Sequence, residues 1–112
     1  AGTTGNASLI AFTRALGGES GDYGVRVVGI NPGRILTERQ IHHIEDRAEK
    51  ELGDRKRWKE IHARMSEKLP FKRTGDPREV SDLACFLASA RASYISGTVV
   101  TIDGGASTRP RA

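Results

Sequence analysis

Val25-Arg26-Val27-Val28-Gly29-Ile30 runs directly into Asn31-Pro32-Gly33. The first six residues are rich in β-branched side chains and too apolar for a strand with one wet face. They read as a strand covered on both faces, as in a parallel sheet. Asn31-Pro32-Gly33 is a strong turn signal and is expected to end that strand. Thr98-Val99-Val100-Thr101-Ile102-Asp103 reads the same way and is closed by Gly104-Gly105. Two such strands are too few for a parallel sheet, which needs strand neighbours and helices on both faces. The expectation is therefore that further strands precede residue 1, in a sequence that opens on Ala1 at a helix start.

Helical periodicity fills the space around the strands. Leu9, Phe12, Thr13 and Leu16 recur at helical spacing between Asn6 and Leu16, ahead of Gly17-Gly18. Between Glu38 and Arg73 the chain is densely charged but periodic. Ile41, Ile44, Ala48 and Leu52 mark one stripe, Gly53-Asp54 a break, and Trp58, Ile61, Met65 and Leu69 a second. Two amphipathic helices fit, each with one face needing cover. Asp76-Pro77-Arg78-Glu79 is a helix start: Asp76 caps, Pro77 suits the first helical position, and Glu79 reaches back as a capping-box partner. Val80, Leu83, Ala84 and Leu87 form the stripe behind it. The order helix, strand, two helices, helix, strand predicts an α/β fold with a parallel sheet.

Composition excludes several classes. The 112 residues suffice for one small domain, and 37% hydrophobic against 29% charged is lean for a self-sufficient core. The net charge of +4 comes from 18 basic and 14 acidic residues, interleaved, with 5% aromatic residues. That does not make a nucleic-acid platform. No stretch approaches a membrane span or a signal peptide. Cys85 is the single cysteine, so no disulfide framework arises, and a buried structural thiol in a reducing, cytoplasmic setting is expected. His42, His43 and His62 do not complete a metal site and read as solvated helix residues. Arg55, Lys56, Arg57 and Lys59 form a basic run that would favour an anionic substrate.

Four stretches, in order, carry a resemblance: Thr13-Arg14-Ala15-Leu16; Asn31-Pro32-Gly33-Arg34-Ile35-Leu36-Thr37; Leu69 to Val80; and Phe86-Leu87-Ala88-Ser89 through Ala92–Gly97 to Ile102-Asp103-Gly104-Gly105. Together they resemble the C-terminal half of the short-chain dehydrogenase/reductase family. The resemblance implies the C-terminal part of a Rossmann-type doubly wound parallel sheet in a single NAD(P)-binding domain. About 150 residues are then expected upstream, including the glycine-rich phosphate loop. It implies hydride transfer between NAD or NADP and a small carbonyl or alcohol substrate. It also implies a homodimer or homotetramer joined through stretches such as Leu9–Leu16 and Val80–Asp103.

By the same resemblance, Pro32, Gly33, Ile35 and Thr37 lie along the nicotinamide. The backbone at Ile35 contacts the carboxamide, and the Thr37 hydroxyl reaches the carboxamide or pyrophosphate. A plain turn with Thr37 as helix cap is the bland alternative. Residues 38–69 take the place of the substrate lid, with Trp58 and Met65 as lid-lining or packing residues, and 106–112 form a loose tail. The family's Tyr-x-x-x-Lys motif falls on Gly2 and Asn6. Gly2 has no titratable group and Asn6 no charge, so neither supplies the usual proton chemistry. Asn6 retains the ability to hydrogen-bond a ribose hydroxyl, or it supports the turn at a helix start. Three readings stay open: an active enzyme using a tyrosine upstream of Ala1 or another acid/base, a catalytically silent NAD(P)-binding or interaction protein, and an inactive truncated fragment.

Overall fold

Pairing between Val28–Pro32 (β1) and Thr98–Ile102 (β2) forms a parallel two-stranded sheet. The computed structural model describes residues 2–110, with side chains from residue 5 onward. Among the described residues the α-helices are, in sequence, Gly2–Glu19 (α1), Glu38–Leu52 (α2), Trp58–Glu67 (α3) and Pro77–Ala88 (α4). The chain divides into two compact units, Ala1–Asn31 with Ser81–Ile102, and Pro32–Val80 with Asp103–Ala112.

In the first unit, α1 packs on β2 and ends against the turn that precedes it. The helix runs past Gly17-Gly18, where sequence alone expects it to stop. The reason is tertiary. Gly17 is buried so tightly that a Cβ there would lie 2.3 Å from Gly97 Cα. The Ser96 hydroxyl donates to the Gly17 carbonyl (2.9 Å) and accepts from the Val27 N–H (3.2 Å), while the Gly97 N–H donates to the Val27 carbonyl (2.8 Å). A helix-breaking pair is thus overridden by packing that only glycine permits.

The same knot moves β1. Its expected span was Val25–Ile30, but the backbone at Val27 is taken up by Ser96 and Gly97. The Val25 N–H turns back to the Ser20 carbonyl (3.1 Å). Arg26 donates to the carbonyls of Leu87 (2.7 Å) and Ser89 (3.3 Å), closing the C-terminal end of α4. Ladder pairing therefore starts at Val28 and continues through Asn31 and Pro32, the expected turn. Proline is tolerated because it is the last residue of the strand. Within this chain β1 is half-buried from Val28 to Asn31.

Cys85 also departs from expectation: it is exposed. The buried face of α4 follows Val80, Leu83 and Leu87, and a residue two positions from Leu83 lies on the opposite side of a helix.

The second unit is built on α2 and α3. Ile44, Ala48 and Ile61 form its buried centre, and Leu36, Leu52, Trp58 and Met65 pack around it. Between the helices, Gly53 adopts φ 72° and Asp54 caps the following 3-10 turn. Arg55 reaches back to α2 and pairs with Asp46, Glu49 and Glu45. The Arg55 guanidinium holds the Asp46 carboxyl below its ordinary range. The predicted capping box is present: the Arg78 N–H donates to Asp76 Oδ1 (2.8 Å), and Glu79 Oε1 accepts from the Asp76 N–H (3.1 Å). Asp103 closes the chain's last turn, accepting from the N–H groups of Gly105 (2.7 Å) and Ser107 (2.9 Å), and Arg109 donates to the Lys68 carbonyl (3.2 Å).

Candidate active site

The segment following β1 has an unusual hydrogen-bond pattern. The Arg34 carbonyl accepts from the Gly75 N–H (2.8 Å), and the Gly75 carbonyl accepts from the Leu36 N–H (2.9 Å). This is a parallel bridge between Ile35 and Gly75. In such a bridge the central residue turns its own N–H and C=O away from its partner. The Ile35 carbonyl is satisfied by the Thr37 N–H (2.9 Å), whereas the Ile35 N–H has no partner among the described residues. Its side chain is half-buried on Gly75, where an added Cβ would come within 2.6 Å of Ile35 Cδ1. A side chain at Gly75 would require Ile35 Cδ1 to shift. Pro32 and Gly33 are exposed at the start of this segment.

Thr37 caps α2. Its hydroxyl oxygen accepts from the Gln40 N–H (3.2 Å), and its carbonyl accepts from the Ile41 N–H. The capping alternative is thus realised, but it uses only the acceptor side of the hydroxyl. The hydroxyl proton remains available to donate.

In the first unit, a groove of about 210 Å3 lies between α1 and the sheet, lined by apolar Leu9, Ile10, Ile30 and Val99 together with Asn6, Thr13 and Asn31. Asn6 is the fifth residue of α1, so it does not support the turn at the helix start. Its side chain is exposed and unpartnered among the described residues. Thr13 is satisfied by the Leu9 carbonyl (2.7 Å). Sequence reasoning treated Asn31 only as a turn residue. As part of β1 it brings a second amide to the groove lined by Asn6. Gly2, the position equivalent to the family's tyrosine, lies outside the residues whose side chains are described.

Trp58 and Met65 are half-buried against the helical core, and Trp58 stacks obliquely on His62, with ring centroids 6.1 Å apart. His62 is not simply solvated: its Nε2 lies 3.0 Å from Thr74 Oγ1. His42 is exposed beside Glu45. Two residues of the basic run Arg55, Lys56, Arg57 and Lys59 are spent internally. Arg55 is held by three carboxylates, and Arg57 pairs with both oxygens of Glu60. Those contacts hold the Glu60 carboxyl below its usual range. Among the described residues, no cluster of His, Cys, Asp and Glu can hold a metal ion, and no helix is long and apolar enough to cross a membrane.

A family model described as enoyl-(acyl carrier protein) reductase matches residues 3–107. The chain belongs to the short-chain dehydrogenase/reductase family. It is 39% identical over 102 residues to sorbitol-6-phosphate 2-dehydrogenase of Klebsiella pneumoniae, covering 88% of this chain and 37% of that protein. It is 34% identical over 103 residues to a 3-oxoacyl-[acyl-carrier-protein] reductase of Aquifex aeolicus, covering 92% and 36%. The structure of L-sorbose reductase from Gluconobacter frateurii, complexed with NADPH and L-sorbose, superposes with a TM-score of 0.82 at 33% identity, over 93% of this chain and 39% of the reductase. The chain thus spans less than two fifths of each of these relatives, and the two strands and four helices belong to a Rossmann-type α/β sheet.

Proposed function

We propose that the complete protein carrying this chain is an oxidoreductase that transfers hydride between NAD or NADP and a carbonyl or alcohol substrate. The observation that carries this reading is the unpartnered N–H of Ile35, held outward by the bridge to Gly75. An unpaired backbone donor on a fixed segment suits a ligand carbonyl, and a nicotinamide carboxamide offers one. The free proton of the Thr37 hydroxyl supplies a second donor, and Pro32 and Gly33 present an exposed, slender backbone to the ring. The Asn6 amide is assigned to a ribose hydroxyl, in the place where the family's lysine stands.

A bound nicotinamide, which Ile35, Thr37 and Asn6 would hold, would supply the hydride chemistry, and the substrate oxygen would exchange a proton with a general acid/base. Neither Gly2 nor Asn6 can hold that proton, so we assign the acid/base to a residue outside this sequence. Residues 38–69 act as the cover that keeps water from the substrate, with the accessible parts of Trp58 and Met65 as lining. We further propose one Rossmann-type domain over residues 1–112 and the segment preceding them, and a cytoplasmic homodimer or homotetramer. Leu9, 64% exposed, and Phe12, 62% exposed, on α1 support self-association, and an exposed lone thiol at Cys85 suits a reducing compartment.

A second reading, a catalytically silent cofactor-binding protein, is favoured by Gly2 and Asn6 at the motif positions. A panel of ketones assayed by NAD(P)H oxidation with the complete protein separates the two. Turnover abolished by replacing an upstream tyrosine supports the enzyme; tight NAD(P)H binding with no turnover supports the silent protein. Absence of both refutes the oxidoreductase and leaves an inactive fragment.

A further inference from the structure

We propose that Arg34 determines substrate specificity by pairing with an anionic group, a carboxylate or phosphate, on the carbonyl or alcohol substrate. The proposal rests on the cofactor reading of the Pro32–Thr37 segment given above.

Several arginines are already committed to partners within the chain. Arg47 pairs with Glu51, Arg55 with Asp46 and its neighbours, Arg57 with Glu60, and Arg73 with Glu79. Arg26 is spent on helix-end carbonyls. Arg34 is exposed, and its guanidinium makes neither an ion pair nor a hydrogen bond among the described residues. Its backbone is nevertheless fixed, because its carbonyl is held by the Gly75 N–H at 2.8 Å. Arg34 stands at an exposed bend directly before Ile35, whose side chain packs on Gly75, and is thus one residue from the Ile35 N–H that has no partner among the described residues. The acid next to the bridge, Asp76, accepts from the Arg78 N–H and lies beyond ion-pair distance of Arg34. An anchored guanidinium with no acidic partner, beside the donor assigned to the nicotinamide, is suited to a planar or tetrahedral oxyanion, which it binds through two parallel N–H bonds. Arg55 and Arg57, the two arginines of the basic run between α2 and α3, are already neutralised by carboxylates.

The test uses the complete protein with NAD(P)H and matched pairs of ketones: 4-oxopentanoate against its methyl ester, and dihydroxyacetone phosphate against dihydroxyacetone. The expected result is a kcat/KM preference for at least one anion over its neutral partner of about 10- to 100-fold, the range of a charge-assisted pair. Arg34→Met should abolish that preference by raising KM for the anion at least about 10-fold more than KM for its neutral partner. Arg34→Lys should keep part of it. Which pair shows the preference distinguishes carboxylate from phosphate. Turnover with no anion preference in the parent overturns the Arg34 assignment and leaves the oxidoreductase reading intact. An equal loss for both partners in Arg34→Met, or weakened NAD(P)H binding, overturns it as well, the latter by giving Arg34 to the cofactor's own phosphates. No turnover of any pair despite bound NAD(P)H overturns the oxidoreductase reading and this proposal together.

Discussion

Gly17→Ala measures how closely α1 is seated in the first unit. A methyl group at Gly17 would stand 2.3 Å from both Cα and N of Gly97 and 2.8 Å from the Val27 carbonyl oxygen. All three are backbone atoms, so no rotamer change relieves the clash. Restoring ordinary contact requires the two chains to separate by roughly 1 Å. That displacement breaks the Ser96-to-Gly17 bond at 2.9 Å, the Val27-to-Ser96 bond at 3.2 Å and the Gly97-to-Val27 bond at 2.8 Å. At ~1 kcal/mol net for each, the loss is about 3 kcal/mol. The better helix propensity of alanine offsets about 1 kcal/mol. The expected net destabilisation is about 2 kcal/mol, read as a lower midpoint in urea denaturation followed by circular dichroism. Gly18 is the internal control. A Cβ there meets nothing within 4 Å, so Gly18→Ala should raise the midpoint by the equivalent of about 0.5–1 kcal/mol. Equal shifts in the two variants would refute the packing argument, because the two neighbours differ in little else.

Other outcomes follow from the same contacts. Asp76→Ala removes the cap of α4 and should lower stability by about 1 kcal/mol in a thermal or urea melt, with Asp76→Asn largely neutral. The Asp103 carboxyl is held below its ordinary range by the side-chain hydrogen bond from Ser107 and by the N–H groups of Ser107 and Gly105. A depressed folded pKa gives stability that is complete above the unfolded value of about 3.9 and fades as pH falls through the folded one. Asp103→Asn should therefore flatten the acid limb of a plot of urea midpoint against pH; an unchanged limb would count against the turn as drawn. In the complete protein, Asn6→Ala should raise the Kd for NAD(P)H by roughly 3- to 10-fold, one hydrogen bond's worth, as followed by nicotinamide fluorescence. No change would remove Asn6 from the cofactor site.

Periodicity and punctuation made most of the architecture legible. The α2–α3 pair is visible in two apolar stripes broken at Gly53-Asp54, and Ile44, Ala48 and Ile61 on those stripes are the buried centre. The start of α4 follows from Asp76-Pro77-Arg78-Glu79 because a capping box is entirely local chemistry. What escaped the sequence is non-local. The shift of β1 from Val25 to Val28 depends on Ser96 and Gly97, some 70 residues away, and the survival of α1 through Gly17-Gly18 depends on the same turn. Cys85 looked buried beside Phe86 and Leu87, but helix geometry turns it to the outside. In the candidate site, Pro32, Gly33 and Thr37 could be picked out by residue type. The free Ile35 N–H could not, since every residue but proline has one and only the bridge to Gly75 leaves this one unused. Ion pairing was equally hidden: Arg34 and Arg55 are the same letter, and only their surroundings make one available and the other not.

The helical insertion draws its apolar centre from within its own stretch, with Leu36 at its edge and Arg55 bolting the two helices together. Outward residues other than Arg55 and its carboxylate partners are thereby released from any duty in holding the α2–α3 pair together. Lineages descended from such a chain can exchange those residues freely without first repairing the helical pair.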